Sequence, residues 1–165
     1  MTFRIKIALI SLNNRSLSMM LAIPMDAMMR VYHYNPCSAA MFALYDVCGE
    51  RKDIRYRFVE TRLNPWEKHK GAMVCDPKMK TCECESDLSQ NPQHVSEHYA
   101  LLEVIGKCNY LIVDSYCLNT LFAMKSVGIK IHKIPPFIKR ADEAINHFII
   151  GVNLADHLRF IHPAS

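Results

Sequence analysis

From residue 96 onward, the apolar positions switch between the period of a helix and the unbroken run of a buried strand. In SEHYALLEVIGKCNYLIV (96–113), Leu101, Leu102, Ile105 and Cys108 recur at helical spacing, and Gly106 weakens the last turn. Tyr110–Val113 then reads as a strand buried on both faces. Leu118–Val127 predicts a helix closed by Gly128 in the left-handed conformation, and Lys130–Ile134 a strand stopped by Pro135 and Pro136. Ala141, Ala144, Ile145, Phe148 and Ile149 mark a final amphipathic helix, with Gly151 near its end.

The first half of the chain is read from runs and alternation. Phe3–Leu12 is a candidate first strand, ended by Asn13, Asn14 and Arg15, and Ala40–Val47 a second. After a turn at Cys48-Gly49-Glu50-Arg51, Ile54–Leu63 alternates: Ile54, Tyr56 and Phe58 on one face, Arg55, Arg57 and Val59 on the other. Such a strand suits a hairpin partner with one wetter face. Asn64-Pro65 stops it, and residues 66–92 carry charge and cysteine without a helical or strand period. The expected order is strand, strand, strand, helix, strand, helix, strand, helix. It predicts a single α/β domain over 1–150, a mixed five-stranded sheet flanked by helices, with a cysteine-bearing insert at 66–92 and a tail at 151–165.

Composition narrows the partners. At 165 residues, half of them apolar, the chain is long enough for one domain with a proper core. The formal charge is only +4, and its basic residues are scattered through 51–62, 68–80 and 125–140, so nucleic acid is not indicated. No run approaches the roughly 20 apolar residues that span a bilayer. Ile7–Leu12 is too short for an export signal, and seven cysteines cannot all pair with one another. The expectation is a cytoplasmic protein with reduced thiols. Five methionines between Ser18 and Arg30 offer soft Cu(I) ligands, but adaptable packing is the plainer use of thioethers around Pro24.

The candidate chemistry lies in and around the insert. Cys75, Cys82 and Cys84 are spaced Cys-x6-Cys-x-Cys, with His69 before them and His94 and His98 after. Thiolates and imidazoles suit zinc and iron–sulfur units, although this spacing is neither a usual zinc nor a ferredoxin signature. If Asn91 caps a helix with Pro92 at its first position, His94 and His98 stand one turn apart on the same face. If the helix starts after Ser96, they have no fixed geometry. Cys108 reads as a core residue. Asp114, Ser115, Tyr116 and Cys117 fall at a strand end, where ligands tend to bind in helix-covered sheets.

The segments IKIALIS, MFALYDV, LLEVIGKCNYLIV, LNTLFAMKSVGIKIH and ADEAINHFI, taken in order over residues 3–150, resemble the dinitrogenase iron-molybdenum cofactor biosynthesis family. The resemblance implies a ribonuclease H-like fold and a protein that binds an iron–sulfur or iron–molybdenum cofactor, or its precursor, and passes it to an assembly or acceptor protein without catalysing a reaction. The chain departs from the family's His-Phe-Gly segment: counting back from Phe42 puts Asn35, Pro36 and Cys37 there. Cys37 and the nearby His33 are the cofactor-ligand candidates at that position.

These readings lead to a non-enzymatic carrier. Cys75, Cys82 and Cys84 are its expected thiolates, with His69, His94, His98, Cys37 and His33 as secondary ligands. The alternatives are an interaction domain holding structural zinc or no metal, and, ranked last, a redox sensor using a strained Cys82–Cys84 disulfide. A two-metal nuclease is disfavoured, because Asp46, Glu60 and Asp114 are the only strand-associated carboxylates and the first candidate strand has none.

Overall fold

The computed structural model describes residues 17–50, 53–65, 84 and 90–161. Five strands form one sheet in the order β3-β2-β1-β4-β5: β1 Leu17–Met25, β2 Met41–Glu50, β3 Asp53–Leu63, β4 Tyr110–Val113 and β5 Lys130–Lys133. The β1–β2 and β2–β3 pairs are antiparallel, and β1–β4 and β4–β5 are parallel. The helices are α1 Pro92–Tyr99, the single turn α2 Leu102–Ile105, α3 Leu118–Ser126 and α4 Ala141–Ile161. An antiparallel meander continued by a parallel pair is the mixed sheet that the order of elements predicts, and it is consistent with the ribonuclease H-like fold that the resemblance implies.

The central strand comes from a run not read as a strand in the sequence. The predicted Phe3–Leu12 strand, including IKIALIS, falls outside the described residues, and the central strand β1 is the methionine-rich run Leu17–Met25. Leu21, Ala22, Ile23 and Met25 are fully buried, so the apolar run marks a strand covered on both faces. Pro24, which reads as a breaker, lies two residues beyond Ala22, the last residue paired with β4, and its carbonyl accepts from the Tyr32 N–H at 2.9 Å. Met25 packs in the core as expected of a thioether, whereas Met28 and Met29 lie exposed in the turn after the strand.

Alternation along the central strands splits the core in two. On one face Ala22, Phe42, Leu44, Leu111 and Val113 pack with Leu101, Ile105, Ala123 and Met124 of the α1–α3 side. On the other, Leu21, Ile23, Ala43, Val47 and Ile112 pack with Ala144, Ile145 and Phe148 of α4. Asn109 sets the register where β1, β4 and β5 meet. Its side-chain oxygen accepts from the Met20 N–H, its own N–H donates to the Met20 carbonyl, and its carbonyl accepts from Lys130.

The helix ends follow local chemistry. The Asn91 side chain accepts from the N–H of His94, so α1 starts at Pro92 as the capping alternative requires. Gly128 takes φ +79° after α3, as expected of a left-handed cap, and the N–H groups of Gly128 and Ile129 close back on Lys125 and Met124. The long helical stripe expected from Ser96 is interrupted at Ala100–Leu101, leaving α1 and α2 as separate pieces. α4 runs through Gly151 to Ile161 with no break at the expected start of the tail, because Gly151 is where the His132 ring of β5 packs against the helix.

Candidate metal centre

The capped start of α1 puts His94 and His98 one turn apart with their rings edge to face, centroids 4.6 Å apart. Both Nε2 atoms face the sulfur of Cys84, at 3.4 Å from His94 and 3.6 Å from His98. The three donor atoms all lie within 4.8 Å of one another, and all three residues are buried. Cys84 has φ +55°, a left-handed conformation that costs a residue with a Cβ roughly 1–2 kcal/mol and persists where surrounding contacts hold it.

The other nitrogen of each ring is engaged. His98 Nδ1 donates to the carbonyl oxygen of His94 at 2.8 Å, which leaves the Nε2 lone pair of the neutral ring toward the sulfur. The Glu97 carboxylate stands 3.7 Å from His94 Nδ1. Outer-shell acceptors of this kind fix the tautomer and aim of metal-binding histidines.

Cys117 adjoins this group. It is the residue before α3, just past the end of β4, it is buried, and its sulfur lies 3.2 Å from Thr120 Oγ1. Burial alone would push this thiol up, but the hydrogen bonds from His98 and Thr120 outweigh it and bring the pKa down to about 6. Burial acts on His98 in the downward direction, and the bonds to Cys117 and to the His94 carbonyl reverse it, so His98 is raised. Cys108, buried without such partners, is pushed up to about 11 and behaves as the small hydrophobe expected of it.

The remaining candidates are placed apart from this triangle or outside the described residues. Cys75, Cys82 and His69 lie outside them. Cys37 is buried in a short 3-10 turn, its sulfur 3.7 Å from Thr120 Oγ1, on the hydroxyl that also meets Cys117. His33, in the chain leaving β1, meets Asp114 at the end of β4, with Nδ1 3.2 Å from the carboxylate. Its buried Nε2 has no hydrogen-bond partner among the described residues. Asp46 and Glu60 are paired with Arg57 and Arg62, so the three carboxylates singled out in the sequence each have a different neighbour; Glu50 and Asp53 also fall within β2 and β3.

Sequence spacing found Cys84, His94 and His98 but left Cys117 among strand-end residues with no assigned partner. Its signal was positional: a thiol at the carboxyl end of a parallel strand, at the mouth of the next helix. Among the described residues, no helix is long and apolar enough to cross a membrane. No family model matches the chain, and no curated protein matches it.

Proposed function

We propose that this chain is a non-enzymatic metal-binding protein in which Cys84, His94 and His98 hold one divalent ion of the zinc type. The two sulfur–nitrogen separations, 3.4 and 3.6 Å, carry this reading. Bond lengths of about 2.3 Å to sulfur and 2.0–2.1 Å to nitrogen, at the tetrahedral angle, set that edge at about 3.6 Å. The donors are buried, of the right softness, and backed by the His94 carbonyl and Glu97. In a Rieske-type cluster the thiolates and imidazoles sit on different irons, which calls for a wider spread than this triangle has.

Carriage of an iron–sulfur or iron–molybdenum cofactor for delivery to an acceptor protein is the second reading. The resemblance to the cofactor-biosynthesis family supports it, together with the position of Cys84 in the same insert as Cys75 and Cys82. Metal analysis separates the two. Protein loaded with zinc and desalted should keep one ion per chain, and a Cys84→Ser/His94→Gln/His98→Gln variant none; a wild type that retains no zinc rejects the mononuclear site. Anaerobic reconstitution with iron and sulfide, giving colour that a Cys75→Ser/Cys82→Ser variant loses, would favour the carrier.

A further inference from the structure

We propose that two copies of this chain join along β3, edge to edge and antiparallel about a two-fold axis. β3 closes one side of the sheet, and among the described residues it pairs with β2 alone. It is 11 residues long and nine of them are exposed, including Tyr56, Phe58, Val59 and Leu63. A long exposed edge is a template for pairing with another chain, and proteins that avoid such pairing guard the edge with lysine or proline. β3 has neither. The opposite edge, β5, is four residues long and carries Lys130 and Lys133 at its ends.

The ladder to β2 sorts the side chains of β3 onto two faces. Asp53 and Arg55 stand opposite Glu50 and Cys48; past the register shift that skips Val59, Glu60 and Arg62 stand opposite Leu44 and Phe42. Alternate residues of β2 share a face, so these four charges lie on one face of β3, and Ile54, Tyr56 and Phe58 lie on the other. The Tyr45 ring meets Tyr56 and Phe58 edge to face and holds both at the border of the sheet.

The charged face is complementary to itself when reversed. Laid antiparallel beside a second copy, Asp53 falls opposite the partner's Arg62 and Arg55 opposite the partner's Glu60, and the two-fold axis repeats both pairs. A slip of two residues either way sets like charges together, Arg55 against the partner's Arg62 or Asp53 against the partner's Glu60. Parallel stacking in register sets every charge against itself. The charges therefore select one arrangement. Within one chain Arg55 pairs with Asp53 and Arg62 with Glu60, two residues away on exposed surface. Exposed pairs of this kind contribute little, so they exchange across an interface at small cost. The Val104 carbonyl, 2.8 Å from Arg62 Nη1, keeps that side chain in place.

Sedimentation equilibrium of the full chain, from about 1 to 100 μM, tests the contact. It is run in chelator, so that the result does not depend on the metal centre. Wild type should pass from monomer to dimer over that range. Arg55→Glu and Glu60→Arg each set like charges opposite one another twice per dimer and should weaken association by about tenfold or more. The double variant Arg55→Glu/Glu60→Arg rebuilds the same pairs in reverse and should recover most of the loss. A wild type that stays monomeric throughout, single variants that associate like wild type, or a double variant as weak as the singles overturns the proposal. Amide hydrogen exchange of wild type needs no substitution: raising the concentration should slow exchange along β3 and leave β5 unchanged. An unchanged β3 overturns the proposal even if the variants fail to fold.

Discussion

His98 donates its Nδ1 proton to the backbone carbonyl of His94, the residue one helical turn before it, at 2.8 Å. The helix thereby turns the other ring nitrogen toward the Cys84 sulfur, and the cap at Asn91 starts that turn. Metal binding at the proposed site would therefore be linked to the local stability of α1.

Zinc at a thousandfold excess over its dissociation constant should stabilise the chain by about 4 kcal/mol, a rise of roughly 8–16 °C in melting temperature for a domain of this size. A chelator should reverse the rise, and His98→Gln should abolish it. Thermal melts with and without zinc check this; an equal rise in His98→Gln would contradict the assigned ligand.

Replacing Asn91 by Ala removes the cap on His94 and should cost about 1 kcal/mol. Because His94 sits in that first turn, zinc affinity should fall with it. Urea unfolding gives the first quantity and chelator competition the second, and Asn91→Asp should retain both.

His132 is lowered from its usual range, chiefly by burial and secondarily by the neighbouring His147, whose Nδ1 lies 3.1 Å from its Nε2. Above pH about 6.5 it is neutral in both folded and unfolded chains and contributes no pH dependence. As pH falls below that value the unfolded chain binds the proton first, so stability declines until the lowered folded value is passed and is level beyond it. Urea midpoints measured from pH 7.5 down to 5, in chelator, should fall less steeply in His132→Gln than in wild type.

A Cβ on Gly151 would stand 3.1 Å from Cε1 of the same His132 ring. Gly151→Val should therefore destabilise by about 1–3 kcal/mol through overpacking. In Gly151→Ala the gain in helix propensity, about 1 kcal/mol, offsets much of the crowding. The double variant Gly151→Val/His132→Ala should be less destabilised than the sum of the two single changes, which a double-mutant cycle measures.

Much of the layout is legible in the residues themselves. The β2–β3 hairpin, the apolar Tyr110–Val113 strand, the Gly128 cap and the apolar stripe of α4 follow from period and punctuation, because each depends on neighbours within one element. β1 is harder to read. Methionines and Pro24 mask a central strand whose burial comes from both faces of the sheet. Gly151 misleads in the opposite sense: it reads as a helix end, yet it accommodates a histidine from another element.

By itself the sequence determined which soft donors exist and, through Asn91 and Pro92, the helical turn that pairs His94 with His98; both are matters of side-chain type and short-range hydrogen bonding. Tertiary structure decided which cysteine joins that pair. Cys84 lies 10 residues before His94 and outside α1, yet its sulfur stands 3.4 and 3.6 Å from the two Nε2 atoms. No spacing rule encodes that meeting, because it is set by how layers stack and not by how residues repeat.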